Sequence, residues 1–302
     1  MSAAAGQSRI GQESVRGVPM RTGVLVVLWA FLLLYLVTRV LEVFPESMPT
    51  LGIVALHVLL PAIFAAIHGT VVGRTRQVLL FFAIAFVVGN ILENVGVVTG
   101  FPFGRYYFLD LMGPKLFHVP ILLAVAYVGM GYLSWVLAVV IFGTVHCPLS
   151  RSRVVTLPLV ASFIMVAWDL SQEPVWATVL HGWVWVRGGA YFGVPVSNFI
   201  GWYVTMYVIY QLYALALSNQ PIARRGITAA YWRPAILLYA CCAVGNVLQI
   251  FRHSAPLLVM DPSGTQWRVR DITGTCALIS MFTMGAFAFI AWVRLADQEL
   301  EL

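Results

Sequence analysis

The sequence predicts an all-α protein, a polytopic membrane helical bundle of about eight transmembrane helices. Three observations predict it. Of the 302 residues, 61% are hydrophobic and only 10% are charged, with a mean hydropathy of +0.88. A soluble domain of this length carries about 25% charged residues, so 18 basic and 12 acidic side chains cannot clothe a 33.3 kDa globule in water. The apolar residues also fall in runs of the length, about 20 residues, that crosses the hydrocarbon core.

In chain order, residues 1–22 read as a polar Ser/Gly/Gln-rich tail, expected to be disordered, with no clean secretory signal. The first apolar run, from Gly23, is long enough to span and stay. Runs follow at 23–43, 51–72, 77–98, 116–142, 153–170, 195–217, 233–251 and 273–293. Several contain Pro or Gly, which membrane helices tolerate. Connections are short except 99–115, 171–194 and 252–272, and no repeat or low-complexity linker intervenes. This predicts a single transmembrane domain over 23–294 and a short tail over 295–302.

The net charge of +6 reports loop topology in such a protein, so no nucleic-acid partner is expected. Arg9, Arg16, Arg21, Arg74, Arg76, Arg151, Arg153, Arg224, Arg225, Arg233 and Arg294 fall on one side. The other side holds Arg39, Arg105, Lys115, Arg187, Arg252, Arg268 and Arg270, offset by Glu42, Glu46, Asp110, Glu173, Asp261 and Asp271. The excess of positive residues predicts a cell-membrane protein with both termini cytoplasmic. Cys147, Cys241, Cys242 and Cys276 form no CxxC pair and read as small core residues.

Polar groups inside a bilayer are costly and mark candidate sites. On the eight-helix topology they segregate to the outer half. Arg39 and Glu42 close the first span, and His57 opens the second. Asn90, Glu93 and Asn94 end the third, and Asp169 the fifth. Asn198 opens the sixth, while Asn246, Gln249 and Arg252 close the seventh. One polar pocket near the outer face accounts for this clustering. Arg39, Glu42, Arg252 and His57 are expected to snorkel to interfacial water, and Asn or Gln often only tie helices together. Glu93 and Asp169 are the functional candidates, because each ends an apolar helix and is followed by an unusual loop.

The first loop reads ENVGVVTGFPFGRYY over 93–107 and continues to GPKLFHVP over 113–120. The second reads WDLSQEP over 168–174 and WVWVRGGAYFGVPVSNFIGW over 183–202. Gly and Pro at this density specify tight irregular backbone, tolerated at membrane depth only when buried in protein or lining a cavity. Asp169 and Glu173 are four apart and would share a helix face. Pro174 disfavours helical geometry at Glu173, which leaves that residue between helix and loop. Tyr106, Tyr107, Trp168, Trp183, Trp185, Tyr191 and Trp202 read individually as an interfacial belt. As a set beside two carboxylates they equally suit a pocket for an electron-deficient apolar substrate, with Asn198 at its edge.

Several chemistries lack their residues. The six histidines lie at 57, 68, 118, 146, 181 and 253, none within five residues of another, which argues against a di-iron oxygenase or desaturase. Gly129 and Gly131 are followed by Ser134 where a dinucleotide fingerprint needs glycine, and no Walker or GxSxG motif is present. Carboxylate, Tyr/Trp and water chemistry remains, with no metal and no cofactor expected.

The two loops resemble those of the membrane carotenoid-biosynthesis proteins that include CruF-type carotenoid 1′,2′-hydratases and bisanhydrobacterioruberin hydratases. The resemblance rests on residues 93–107, 113–120, 168–174 and 183–202, about the middle third of the chain. Two departures stand out: Glu173 where the family commonly has Asp, and His118 where a Gly often precedes Val-Pro. The first keeps a carboxylate, and the second touches only local loop packing.

The resemblance implies hydration of the terminal double bond of an acyclic carotenoid end group to a tertiary alcohol. The partners it implies are a lipid-soluble carotenoid, water and membrane lipid, with other carotenoid-pathway enzymes as candidate neighbours. A carboxyl in apolar surroundings stays protonated, because desolvation disfavours its charged form. Asp169 is the first choice as proton donor and Glu93 the second. The other carboxylate, or Glu173, would orient water and accept its proton. Two rivals use the same residues. A membrane prenyltransferase would bind Mg²⁺-diphosphate at Asp169 and Glu173, though a second acid-rich motif is missing. A proton-coupled transporter would need an internal repeat, which is not visible.

Overall fold

Hydrocarbon offers a backbone amide no partner outside its own segment, so apolar runs of this length fold as helices. The computed structural model describes residues 22–44, 50–144, 148–218, 220–224, 226–252 and 256–300. Among them the first seven spans are α1 (Thr22–Leu41), α2 (Thr50–Val72), α3 (Thr75–Thr99), α4 (Ile121–Phe142), α5 (Arg151–Leu170), α6 (Val196–Leu217) and α7 (Ala229–Leu248). The last span consists of α8 (Val269–Ile279) and α9 (Gly285–Leu300), joined by a π-helical turn over Ser280–Met284. All eight spans are long and apolar enough to cross a membrane.

Proline does not end these helices where a neighbour repairs the lost bond. Pro158 lies inside α5 and cannot donate to the Val154 carbonyl, which accepts a hydrogen bond from Gln211 Nε2 of α6 at 3.1 Å instead. The bundle centre is α4, whose most apolar stretch is 83% buried. It packs on α2, α3, α5, α7 and α9, while α5 lies along α6 and α1 rests on α2 and α7.

Successive spans run antiparallel, so the connections after α1, α3, α5 and α7 share one end of the bundle. That end carries six short strands: β1 (Tyr106–Phe108), β2 (Lys115–Leu116), β3 (Val119–Pro120), β4 (Trp183–Trp185), β5 (Leu258–Met260) and β6 (Gln266–Arg268). They pair antiparallel as β1–β4, β2–β3 and β5–β6. The β1–β4 pair ties the two long loops together and forms the roof of the site described below.

The boundaries depart from the hydropathy reading at several places, the seventh helix beginning at Ala229 rather than 233. The fourth helix begins at Ile121 rather than 116, because Pro120 brings no donor and Phe117 turns the chain with φ 58°, making 115–120 a hairpin. The fifth span does not stop at 170. It loosens at Ser171 and Gln172 and then resumes helically from Glu173, with a π-helical turn over Val175–Val179. Pro174 stands in the first turn of that new segment, where a missing N–H costs nothing. The last span starts at Val269 rather than 273. At its other end α9 runs to Leu300, so the segment expected as a tail is helical through that residue.

Cys242 and Cys276 are buried and Cys241 is half-buried, all as free thiols, as expected of core residues. Residues 1–21, which hold nearly all the expected polar tail, lie outside the described residues, as do Glu46, His146, Cys147, Arg225 and His253.

Candidate active site

The site is assembled where α3 and α5 end beneath the β1–β4 roof. Gly100 closes α3 in the left-handed region (φ 85°), its N–H bonding the Gly96 carbonyl, and this turns the chain back over the helix end. Strand alternation then sorts the aromatics. In β1, Tyr106 and Phe108 are buried while Tyr107 is exposed. Tyr106 pairs in register with Trp185 and Phe108 with Trp183. Their rings meet at 4.8 and 6.0 Å between centroids.

Three carboxyl groups face the space below this roof. Glu93, on the last turns of α3, accepts hydrogen bonds from the Tyr106 hydroxyl and, at 2.6 Å, from the Tyr127 hydroxyl of α4. Burial, reinforced by the neighbouring Glu93, pushes the Tyr106 hydroxyl well above its ordinary range, so it remains a donor at physiological pH. Glu173 Oε1 accepts from Trp183 Nε1 at 2.6 Å and Trp185 Nε1 at 2.8 Å. Asp169 Oδ2 accepts from Asn198 Nδ2 at 3.0 Å, and its carboxyl lies within hydrogen-bonding reach of Glu173. All three carboxyls are buried.

Together they line a cleft of about 400 Å³ whose walls are Phe103, Tyr106, Phe108, Leu123, Trp168, Trp183, Trp185 and Trp202. Trp202 stacks on Tyr127 at 4.5 Å and meets Trp168 edge-on, which fixes the two indoles relative to Glu93 and Asp169.

Most residues singled out from the sequence converge here, including all three carboxyls, Tyr106, Trp168, Trp183, Trp185, Asn198 and Trp202. Two do not. Tyr107 points away on the exposed face of β1, the consequence of its odd position between Tyr106 and Phe108. Tyr191 donates its hydroxyl to the Leu170 carbonyl at 2.9 Å, satisfying the helix end where α5 loosens, and is not part of the cleft wall. Tyr127, Gln172, Phe103, Phe108 and Leu123 were not anticipated. Tyr127 left only a weak signal, as one of three hydroxyl side chains, with Tyr132 and Ser134, in the apolar α4.

The expected single polar pocket is two adjoining ones. The second, about 570 Å³, is lined by Arg39, Glu42, Asn246, Gln249 and Arg252 and shares Gln172 with the first. Arg39, Glu42 and His57 do not snorkel to water. They are almost wholly buried, with Arg39 Nη1 at 2.5 Å from Glu42 Oε2 and His57 Nδ1 at 2.9 Å from Glu42 Oε1. Arg39 Nη2 donates to Asn246 Oδ1 at 2.7 Å, completing a bridge from α1 to α7. Mutual pairing makes burial tolerable, since removing one partner would strand a charge.

A multi-pass membrane bundle with three carboxyls facing an aromatic cleft at one end defines a class: an integral membrane protein with a buried acid site. The chain belongs to the carotenoid biosynthesis protein family, whose profile matches residues 53–260 and so takes in every residue of the cleft. No match was found among curated proteins or among solved structures.

Proposed function

We propose that the protein is a carotenoid hydratase of the CruF or bisanhydrobacterioruberin hydratase type, adding water across the terminal C1′=C2′ double bond of an acyclic carotenoid end. The observation that carries this reading is the convergence of Asp169, Glu93 and Glu173 on one aromatic-walled cleft. Protonation of the less substituted carbon gives a tertiary cation, which water captures at the neighbouring carbon. The proton lost by that water restores the acid, so the sum is alkene plus water to tertiary alcohol.

Hydrogen bonding divides the roles. Glu93 holds two hydroxyl donors and Glu173 two indole donors, arrangements that suit carboxylates. Asp169 has one amide donor and a carboxyl neighbour, so it is the member that carries the shared proton and serves as the acid. Glu173, beside it, receives the proton from water, and Glu93 balances the cation. Each indole or phenol face toward the cation contributes about 0.5–2 kcal/mol. The reacting end group would meet the carboxyls at this aromatic wall, leaving the polyene in lipid. The arginine count supports cytoplasmic termini in the cell membrane, which puts the cleft at the outer side.

The test is expression in cells that accumulate lycopene or bisanhydrobacterioruberin, with pigments resolved by chromatography and mass. Gain of one water per reacted end is expected, and unchanged pigment would overturn the reading. Mg²⁺-dependent turnover of a prenyl diphosphate by the purified protein would assign Asp169 and Glu173 to diphosphate chemistry instead.

A further inference from the structure

Hydration needs two substrates of opposite character, and the polyene alone is supplied by lipid. Water must reach the buried carboxyls by another path. Three cavities at the same end of the bundle are linked through shared wall residues. A groove of about 1000 Å³, bordered by the exposed Leu257, Leu258, Arg268 and Arg270, shares Gln249 and Arg252 with the pocket of the Arg39–Glu42 pair. That pocket in turn shares Gln172 with the carboxylate cleft.

The walls of the middle chamber are unusually polar for a membrane interior. Arg252 Nη1 donates to the Glu42 carbonyl at 3.2 Å and to Gln249 Oε1 at 3.3 Å, at the wall this chamber shares with the outer groove. Farther in, Asn246 Nδ2 donates to Ser171 Oγ at 2.7 Å, and Ser171 lies at the loosened turn that follows Asp169. Gln172 stands on the same turn, its Oε1 accepting from Trp176 Nε1 at 3.3 Å on the middle-chamber side. Irregular backbone at membrane depth is stable where it borders protein or water-filled space, and both irregular residues of α5 border this chamber.

We propose that these linked cavities are the water route of the enzyme, running from the outer groove past Arg252 and Gln249, through the Arg39–Glu42 chamber, to the carboxylates past Gln172. Gln172 acts as a positioning residue at the inner constriction. Its amide offers passing water both a donor and an acceptor. This inference rests on the hydratase reading for its purpose, but the route itself has a readout of its own.

Gln172→Leu keeps the size and removes the polar wall, and Gln249→Leu does the same where the chamber meets the outer groove, outside the cleft of Glu93, Asp169 and Glu173. Each is expected to lower hydrated pigment at least ten-fold, and Gln249→Leu, outside the carboxylate cleft, is expected to leave carotenoid bound to the purified protein, read by visible absorption, unchanged. Wild-type hydration by both variants would overturn the route. Independently, Gln172→Cys in sealed vesicles, in a chain whose Cys147, Cys241 and chamber-lining Cys276 are replaced by Ser, is expected to react with a small charged methanethiosulfonate, while native Cys242 reacts only after denaturation. A Gln172→Cys thiol that stays unmodified until denaturation would also overturn it. If the wild-type protein hydrates nothing yet Gln172→Cys is modified, the hydratase reading fails and the aqueous route stands.

Discussion

Asn198, at the start of α6, donates its amide to Asp169 Oδ2 at 3.0 Å across the seam between α5 and α6. This bond occupies one carboxyl oxygen of a residue that lines the cleft together with Glu173. Asp169→Asn is therefore expected to lose product by about 10²–10⁴-fold, the usual worth of a positioned acid. Asn198→Leu leaves the acid in place but unoriented, and should cost about ten-fold or more. Membrane abundance and pigment chromatography check both variants together.

Tyr106 and Tyr107 offer a contrast within one strand. Tyr106→Phe removes one of two hydroxyl donors to Glu93 and is expected to lower activity about ten- to hundred-fold. Tyr107→Ala, on the exposed face, should change thermal stability by less than about 0.5 kcal/mol and leave product yield alone. Equal losses in the two variants would contradict the strand register.

Gly245 lets Arg39 cross α7. A Cβ there would lie 1.8 Å from Arg39 Nε, so the guanidinium must move and release Glu42 and Asn246. Gly245→Ala is expected to destabilise the fold by about 1–3 kcal/mol. Thermal denaturation followed by detergent gel filtration measures this.

The β5–β6 hairpin has an acid-sensitive clasp. Burial alone would raise Asp261, but hydrogen bonds from Ser263, Trp267 and Thr265 outweigh it and hold the carboxyl below its ordinary range. A depressed acid stabilises the folded form above its unfolded value, near pH 4, and that contribution is lost as pH falls through the folded value. Trp267, whose indole donates to Asp261 Oδ2 at 2.9 Å, should change its fluorescence in that acid range. Asp261→Asn should show the altered signal already at neutral pH.

The eight spans and the acids ending two of them were legible in the sequence because hydropathy, helix length and breaker residues are properties of contiguous chain. Even so, local rules misjudged the stretch after Asp169. Pro174 was read as a breaker, yet it stands in the first turn of a helical continuation that keeps Glu173 beside Asp169.

Tertiary structure alone decided which polar residues share a cavity. Arg39 and Asn246 lie 207 positions apart, and Glu93 and Tyr127 34 apart, separations that leave no periodic trace. The pairing of β1 with β4 decided that Tyr106 turns inward and Tyr107 outward, since a strand's facing depends on its partner's register. The sequence by itself thus determined a membrane bundle and its chemical ingredients. Packing determined that Arg39 and Glu42 stay buried rather than reaching the interface, because there Asn246 bonds the guanidinium and His57 the carboxylate.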